Sequence, residues 1–534
     1  MIALLAQAAE GPASRTPLIV VGVYLLVLIG LGVFSGSLFR GTSSDYFVAG
    51  RSIGPFLLLM SVFGTTMTAF ALVGSTGKAW ELGAGVYGLM ASSSGIVHSL
   101  VFFTVGIKLW AIGKRHGYHT QIEFFRARFD SVAIGYLLFP ILVLLVIPYL
   151  LIGVLGAGAV VRGITVGMFP DTFAGTPNPA TGATMFAGAV PTWLTGLVVC
   201  GVVLFYIFTG GLRSAAWANA FQTIVFMGTG VIAFFLISDR LGGLEAATRA
   251  VLERSPEHMA RPNIGKLQFL TYMFVPLSVG MFPHLFQHWL TAKKAASFKL
   301  TAVAHPIFIA VVWVPCILIG IWAVGAEITP PGNNPNALLP KVVDTLLHSP
   351  FLTGLLMAGV LAAIMSSLDS QFVCLGTMFT HDVLFQWLGK ERFSDRQKVL
   401  LGRGFIVAVV AVTYVLAQFP PPKIFDLAVW CFSGFASLFP LVFAAIYWRR
   451  VTKAGAIASI VVTVVVWSGF FYYGMVKTTL SGVGLDGDYL IAGMMPVAFM
   501  VAASTAALVL VSLMTKPPAP EHVERFMVTA RHRA

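Results

Sequence analysis

The sequence predicts an all-α integral membrane protein with about 13 transmembrane helices. Of its 534 residues, 57% are hydrophobic and only 10% are charged, which excludes an ordinary water-soluble protein. About thirteen apolar stretches are each long enough to cross roughly 30 Å of hydrocarbon. Two of these stretches are interrupted by glycine, proline and hydroxyl residues, as broken membrane helices are.

Basic residues are concentrated in alternate loops between these stretches. If the N-terminus lies outside, about two thirds of the 34 Lys and Arg residues lie on the inner side. The positive-inside rule then predicts an external N-terminus and an internal C-terminus. We therefore expect a multi-pass protein of the cytoplasmic membrane that contacts the lipid bilayer. Because the basic residues form no single patch, the net charge of +13 does not predict a nucleic-acid partner.

The interrupted stretches are the second and the seventh, residues 53–77 and 268–290. The first contains Gly64-Thr-Thr-Met-Thr68, and the second contains Pro276 and Pro283. They lie five spans apart, as matching helices do in two inverted five-helix repeats with a binding site at mid-membrane. Glycine and proline are also common in ordinary transmembrane helices, so the pattern alone leaves that simpler explanation open.

The repeat interpretation divides the chain into four parts. We expect an N-terminal extra helix and loop over residues 1–52 and a first five-helix repeat over 53–239. An outer loop and the second, inverted repeat follow over 240–450, and two C-terminal helices with a cytoplasmic tail complete the chain over 451–534. The first span and the last two are then additions to a ten-helix core.

The segment Gly359–Ser370 places two adjacent hydroxyl groups and a carboxyl group at membrane depth. A charged side chain at the bilayer centre costs roughly 2.5–3.5 kcal/mol on insertion scales, so Asp369 should face protein, water or a cation. Ser366 and Ser367 share one helical face with Ala363. The segment therefore predicts part of an ion path. An isolated serine pair is more simply explained by hydrogen bonds to its own helix or by close helix packing.

Four motifs resemble those of the sodium:solute symporter family, and the resemblance runs from about residue 18 to the tail at Pro517. They are Asp45-Tyr-Phe-Val-Ala-Gly-Arg51, Gly210-Gly-Leu-Arg-Ser-Ala-Ala-Trp-Ala-Asn-Ala-Phe-Gln222, Ala362-Ala-Ile-Met-Ser-Ser367 and Tyr447-Trp-Arg-Arg-Val-Thr-Lys-Ala-Gly-Ala456. The resemblance implies a LeuT-like core of ten helices and sodium-driven uptake. Na⁺ is then the coupling ion, and no organic cofactor is expected.

The resemblance also implies where sodium binds. In that family one sodium lies between the break in the first core helix and the eighth core helix. The matching positions here are Gly64, Met67, Ala363, Ser366 and Ser367. Na⁺ is a hard cation that prefers several neutral or anionic oxygens, which backbone carbonyls and hydroxyls supply. Members with a second sodium site carry Asp where this chain has Asn219 and a hydroxyl where it has Ala363, so we predict one coupling sodium.

Asp369 lies three residues beyond Ser366 and has several possible roles. Its carboxylate is close enough to bias the sodium site electrostatically, to bind a second cation or to carry a proton. Pairing with a neighbouring helix is the structural alternative. The sequence leaves these possibilities open.

In the family the substrate cavity is lined by the first broken helix and by the second, sixth and tenth core helices. The positions that this implies here are Thr65, Thr66, Thr68, Ser92, Ser93, Ser94, His98, Pro283, His284, Gln287, Trp430 and Ser433. The Glu and Gln that bind sugar hydroxyls in some members align with Gly95 and Ala71, which disfavours a sugar. None of the implied positions is Lys or Arg, so a carboxylate would depend on helix N-termini, backbone N–H groups and hydroxyls.

We predict a secondary active transporter that takes up a small organic solute by alternating access. Pro283-His284 resembles a pair in members that carry proline, pantothenate or short monocarboxylates, and this resemblance implies that the solute is a monocarboxylate, a pantothenate-like molecule or an amino acid. A proton-coupled symporter of the same fold and a non-transporting solute sensor stay open as alternatives. An enzyme is not expected, because no catalytic set or metal-ligand cluster stands out. One asymmetric site also disfavours a channel.

Overall fold

The fold is known from a computed structural model that describes residues 14–37, 42–177, 182, 184–389, 392–419, 423–477 and 489–527. The side chains of residues 43, 44, 91 and 92 lie outside this description. Within it, ten helices are long and apolar enough to cross a membrane, or twelve if each of two bent helix pairs forms one span. The predicted all-α membrane fold is thereby confirmed.

The first half of the chain carries eight of the helices considered below and one short strand pair. The helices are α1 (Thr16–Ser37), α2 (Ser43–Val48), α3 (Pro55–Thr66), α4 (Phe70–Leu82), α5 (Gly85–His116), α6 (Gln121–Phe129), α7 (Val132–Ile164) and α8 (Thr192–Arg240). Strands β1 (Thr176–Pro177) and β2 (Thr184–Met185) pair antiparallel before α8, with Thr176 opposite Met185.

The second half is helical in its described parts. Its helices are α9 (Leu244–Arg254), α10 (Lys266–Gly280), α11 (Pro283–Thr291), α12 (Ser297–Gly325), α13 (Leu338–Leu347), α14 (Pro350–Leu388), α15 (Asp395–Leu416), α16 (Ile424–Tyr447), α17 (Lys453–Val476), α18 (Pro496–Met514) and α19 (Pro520–Glu524). Helix α14 is buried along most of its length and packs against α1, α7, α8 and α15, so it lies at the centre of the bundle.

The first predicted break separates α3 from α4, whose axes differ by 60°. Met67 leaves the helical conformation, with φ −88° and ψ 119°. The Thr68 hydroxyl then accepts a hydrogen bond of 3.0 Å from the Phe70 N–H, which starts α4. Since the last carbonyls of a helix have no intrahelical partner, this break presents oxygen atoms in the middle of the bundle.

The second predicted break separates α10 from α11, which are bent by 51°. Phe282 is extended, with φ −65° and ψ 114°, and Pro283 opens α11. Proline is well suited to the first turn of a helix, where its missing N–H has no partner to lose. Both interrupted stretches of the sequence are therefore broken helices.

Helix α8 is 49 residues long, about twice the length that a bilayer requires. It is interrupted at Gly211, where φ is 59° and ψ is −138°. A Cβ atom there would lie 2.4 Å from the carbonyl oxygen of Tyr46, so both the conformation and the contact require glycine. If the two segments flanking Gly211 were separate spans, the count would reach thirteen. The number thirteen and the four-part division of the chain stay predictions.

Candidate functional site

Ser366 lies where α14 passes the break between α3 and α4. Its hydroxyl oxygen is 2.8 Å from the carbonyl oxygen of Gly64 and 2.8 Å from that of Ala363. Gly64, Ala363, Ser366 and Met67 are all buried. Of the five predicted sodium ligands, Ser366 thus contacts two others, Gly64 and Ala363, although Gly64 lies 302 residues away in sequence.

The other two predicted ligands border this contact. The Met67 N–H donates to the carbonyls of Gly64 and Phe63 at 3.1 and 3.2 Å, so Met67 is the residue at which the break begins. The Ser367 hydroxyl donates to the carbonyl of Ile364 in its own helix at 2.9 Å. The group offers neutral oxygens and no carboxylate. Such a set suits a monovalent cation, because a buried divalent charge needs more compensation than carbonyls and hydroxyls give.

The break is held against α8 by close packing at Gly64. A Cβ atom at this position would lie 2.7 Å from the Thr223 hydroxyl oxygen and 3.3 Å from the Asn219 carbonyl oxygen. The Thr223 hydroxyl in turn donates to the carbonyl of Met60 at 3.1 Å. Only glycine lets α3 approach α8 this closely.

Asp369 lies one turn beyond Ser366 and is fully buried. Its carboxylate accepts hydrogen bonds from the Tyr206 hydroxyl at 3.0 Å and from the Ser370 hydroxyl at 2.9 Å. The Asn219 amide is assigned the orientation in which its nitrogen faces acceptors. It then donates to the two carboxylate oxygens at 3.0 and 3.1 Å, and to the Ser366 carbonyl oxygen at 3.0 Å. Asp369 therefore pairs with α8, directly behind the predicted sodium ligands.

Asp369 lies beside Asn219, the position at which members with two sodium sites carry an aspartate. The sequence suggested that a carboxylate is lost at this point, because Asn219 replaces the aspartate of two-sodium members. In the structure the Asp369 carboxyl group contacts the same amide, so α14 places a carboxyl group beside the position where α8 lacks one. The prediction of a single sodium stays a prediction.

A histidine that the sequence analysis did not select extends the network. Nε2 of His288 is 2.9 Å from the Ser370 hydroxyl, and Nδ1 is 2.7 Å from the Ser61 hydroxyl. One imidazole thus connects α3, α11 and α14. Local spacing gives no signal for it, because Ser61 and Ser370 lie 227 and 82 residues from His288.

A cavity of about 30 Å³ lies between the two breaks. Of the predicted substrate residues, Thr66, Ser94 and His98 line it. Its other lining residues are Phe70, Tyr149, Tyr272, Val275, Pro276, Ser278, Phe282, Trp313 and Phe432. This volume is close to that of one water molecule, so in this conformation the cavity is too small for an organic solute.

Four predicted hydroxyl residues do not line this cavity. The Thr65 hydroxyl is buried and, within the described residues, has no hydrogen-bond partner. Thr68 caps α4, as described above. The hydroxyls of Ser93 and Ser433 donate to carbonyls of their own helices, those of Leu89 and Val429. The side chain of Ser92 lies outside the described residues.

The predicted residues Gln287, His284 and Trp430 also lie outside the cavity lining. Gln287 Nε2 donates to the Phe47 carbonyl and to the Thr377 hydroxyl, both at 2.6 Å, and so ties α11 to α2 and α14. The His284 ring stacks on Phe282 with centroids 5.2 Å apart. The Trp430 carbonyl accepts from the indole of a second tryptophan at 2.9 Å. As substrate contacts, these residues stay predictions.

His98 contacts a second histidine across the bundle. Its Nδ1 atom is 3.3 Å from Nε2 of His305 on α12. The His305 ring packs edge-on against Phe102 and Phe63, with centroids 4.8 and 5.4 Å away. His305 was not selected from the sequence, because a single buried histidine has no distinguishing spacing.

A separate polar cluster joins the loop helix α6 to the end of α14. The Thr120 hydroxyl donates to Asp382 at 3.0 Å, and Arg126 lies 3.7 Å from the same carboxylate. Glu123 lies 3.0 Å from the ring of His381. Burial alone would raise the pKa of Glu123, but the interactions with His381 and His119 outweigh it and lower the pKa to about 2. The Glu123 carboxylate is therefore ionised at neutral pH.

Comparison with known proteins gives one family and several relatives. The family model described as "Sodium:solute symporter family" matches residues 46–168 and 181–463. The chain is 25% identical over 493 residues to a sodium/proline symporter of Escherichia coli (strain K12), covering 87% of this chain and 90% of the relative. It is 27% identical over 478 residues to a sodium/proline symporter of Staphylococcus aureus (strain bovine RF122 / ET3-1), covering 84% and 85%.

Among solved structures, one of a Na⁺-coupled sialic acid symporter in a substrate-bound outward-open state is similar to this chain. The TM-score is 0.72 at 17% sequence identity, and the match covers 95% of this chain and 99% of the other. At this identity the likeness concerns the fold alone.

Proposed function

Because the chain belongs to the sodium:solute symporter family, a family of transporters, we propose that it couples one sodium ion to the uptake of a small carboxylate-bearing solute. The solute class is a monocarboxylate, a pantothenate-like molecule or an amino acid. The sodium binds between α3 and α14, and transport proceeds by alternating access in the cytoplasmic membrane, with the N-terminus outside and the C-terminus inside.

The contact of the Ser366 hydroxyl with the carbonyls of Gly64 and Ala363 carries this proposal. The carbonyl of Gly64 belongs to the broken helix, and the other two oxygens belong to the central helix. A cation bound by these oxygens and by the Met67 carbonyl holds the two helices together and so favours one conformation of the break. Coupling then follows from differential affinity, since sodium binds the outward-facing state and leaves the inward-facing state.

The surroundings of the small cavity between the two breaks support a carboxylate as the solute's polar group. Phe70 is the first residue of α4, Phe282 immediately precedes α11, and both line the cavity. Helix N-termini carry partial positive charge and favour anions. Among the described residues no Lys or Arg lines the cavity, while half of the lining residues are Phe, Tyr or Trp. An apolar body with one carboxylate suits these features, and the sodium/proline symporters among the relatives make proline the first candidate.

The direct test is uptake into proteoliposomes with an inward sodium gradient, compared with an equal potassium gradient. The panel contains proline, pantothenate, pyruvate, sialic acid and glucose. We expect one carboxylate-bearing class to accumulate in sodium and none in potassium. Accumulation of glucose alone, or uptake that does not depend on sodium, would contradict the proposal.

The sodium site is tested with Ser366→Ala and Ser367→Ala against the control Ser437→Ala. Ser437 is also a buried serine in a membrane helix, and its hydroxyl donates to the carbonyl of Gly434 in its own helix at 2.7 Å. We expect Ser366→Ala to raise the half-activating sodium concentration about tenfold, which corresponds to losing ~1.4 kcal/mol. Ser437→Ala should leave sodium activation unchanged. An unaltered sodium dependence in both Ser366→Ala and Ser367→Ala would reject the assignment.

Asp369 supports proton coupling as a second candidate function. Its buried carboxylate contacts Tyr206, Ser370 and Asn219, and within the described part of the chain no Lys or Arg side chain contacts it. If it carries a proton, a pH gradient in sodium-free buffer should drive uptake by the natural protein but not by Asp369→Asn. If sodium alone is coupled, Asp369→Asn should lower uptake by the same factor at every pH.

A further inference from the structure

His119, Glu123 and His381 bring three metal-ligating side chains together away from the sodium site. One potential ligand atom of each lies within 4.8 Å of those of the other two. Oε1 of Glu123 is 3.0 Å from Nδ1 of His381, and the two imidazole rings face each other with centroids 4.4 Å apart. We propose that these side chains bind a divalent transition-metal ion, and that Zn²⁺ fits them best.

The distances between the three ligand atoms are close to those of a tetrahedral zinc site. In a tetrahedral zinc site with ligand bonds of roughly 2.0–2.1 Å, two ligand atoms lie roughly 3.3 Å apart. The pair formed by Glu123 and His381 is within a few tenths of an ångström of that value. The two ligand atoms that lie farthest apart, at up to 4.8 Å, must approach each other by about 1.5 Å to bind one zinc ion. Rotation of the half-buried His119 side chain can bring them together. Water completes the coordination.

The donor set also selects the class of ion. Two imidazoles and one carboxylate suit zinc and its neighbours in the first transition row. Mg²⁺ and Ca²⁺ prefer shells made of oxygen atoms and bind imidazole poorly. The site is therefore different in kind from the carbonyl and hydroxyl shell at Ser366.

The ligands are held in place by their own surroundings. The other carboxylate oxygen of Glu123 accepts from the N–H groups of His119 and Thr120 at 2.5 and 3.2 Å, in a capping box that begins α6. This leaves Oε1 directed at His381. The His381 ring is wedged edge-on between Phe47 and Phe385, with centroids 5.5 and 4.8 Å away. Such secondary contacts fix ligand orientation and strengthen metal binding.

An ion can reach this group through a cavity of about 530 Å³. All three ligands line it, together with His116 and Tyr118. The side chains of His119 and Glu123 are half-buried at its wall, whereas His381 is buried at its base. The neighbouring Arg126 lies 3.7 Å from Asp382, so that carboxylate offsets its positive charge.

A bound ion would connect two elements that are 258 residues apart in sequence, α6 and the end of α14. It would stabilise the arrangement of these elements in this conformation and resist their separation. The site is independent of the solute, so its existence can be tested without knowing what the protein transports.

The test uses the purified full-length protein, titrated with Zn²⁺ in calorimetry and with Co²⁺ in absorbance, with Mg²⁺ as the ion control. We expect a single equivalent to bind, with the visible spectrum of Co²⁺ bound to nitrogen and oxygen. His119→Ala and His381→Ala should each weaken binding roughly tenfold or more. His116→Ala is the matched control, because this histidine lines the same cavity outside the ligand group and should leave binding unchanged.

Thermal unfolding without metal shows whether each variant folds. If His381→Ala does not fold, His119→Ala still decides the question, because its side chain is only half-buried. The proposal fails if the natural protein binds no Zn²⁺. It also fails if His116→Ala weakens binding as much as His119→Ala, or if the two ligand variants bind as the natural protein does.

Discussion

The two broken helices use the same backbone device in different chemical surroundings. At the first break, Gly64 offers its carbonyl to the Ser366 hydroxyl and touches Thr223 and Asn219. At the second, Phe282 packs edge-on against Phe432 and Phe435 with centroids 5.4 and 5.0 Å away. The Gly64 carbonyl at the first break thus contacts a hydroxyl group, whereas the Phe282 ring at the second break packs against other aromatic rings.

This difference teaches that the break itself does not determine what is bound. Each break frees backbone groups in the middle of the membrane, where water does not satisfy them. The neighbouring side chains then decide whether a cation or an apolar group is stabilised there. In the proposed cycle the first break therefore serves the ion, and the second encloses the solute.

The largest expected effect comes from replacing a glycine by alanine at the first break, and the same change at the second break is its comparison. Gly64→Ala would place Cβ 2.7 Å from the Thr223 hydroxyl and 3.3 Å from a backbone oxygen, both in a buried interface. Overpacking of this kind costs typically 1–3 kcal/mol and would displace the Gly64 carbonyl. We expect sodium-dependent uptake to fall to about a tenth or less, measured in proteoliposomes.

Gly280→Ala is the matching change at the second break. Its Cβ would meet the ring of Phe439 at 2.6 Å, but that ring is only partly buried and can turn away. Uptake at saturating sodium should therefore change less, and the half-activating sodium concentration should not change. If both variants altered sodium activation equally, the assignment of the ion to the first break would be wrong.

A smaller effect concerns the anchor of the helix after the second break. Gln287 ties α11 to Phe47 and Thr377, and it is 1% exposed. Gln287→Ala leaves buried polar groups without partners, which costs about 1–3 kcal/mol. We expect a lower melting temperature and an unchanged KM for the solute. The exposed Gln418→Ala, which loses one bond to the carbonyl of Tyr414, is the control and should melt as the natural protein does.

If Gln287→Ala instead raised KM and left the melting temperature unchanged, Gln287 would contact the solute, as its sequence position suggested. The measurement thus decides between the two roles of this residue.

The smallest expected effect probes the aromatic wall. Tyr149 lines the small cavity between the two breaks and packs against Phe282 and Phe432 with centroids 5.3 and 5.1 Å away. Tyr149→Phe keeps the ring and removes the hydroxyl, which is worth about 1 kcal/mol, or roughly fivefold, if it hydrogen-bonds the solute. We expect KM to rise by that factor while sodium activation is unchanged. A shift in sodium activation instead would mean that the ion and solute sites overlap.

The fold and both breaks were predictable from the sequence, because their signals are local. Apolar stretches have the length of a bilayer, and Pro283 and the threonines around Met67 mark the points where helices end. The convergence of Ser366 on Gly64 followed from the family resemblance, since nothing in the spacing relates residues 302 positions apart.

The remaining partners were not predictable, because they depend on which faces of distant helices meet. Tyr206 lies 163 residues from Asp369 and occupies no recognisable motif. The spacing of His119 and Glu123 is visible in the sequence, but it gains meaning only when His381 is placed beside it. These contacts depend on how far each helix is rotated about its axis. That rotation cannot be predicted from a single sequence.

The two hydrogen bonds of the His288 imidazole affect how fast the helices around it can move. Both of its nitrogens are engaged at once, one with Ser61 on α3 and the other with Ser370 on α14. A displacement of α14 that separates Ser370 from Ser61 breaks at least one of these two buried hydrogen bonds. Leaving such a bond unmade costs about 1–3 kcal/mol. If this cost is paid at the barrier, it slows the movement of α14 roughly five- to 150-fold. In the proposed cycle we therefore expect His288 to affect the rate of the conformational change more than the affinities for the ion and the solute.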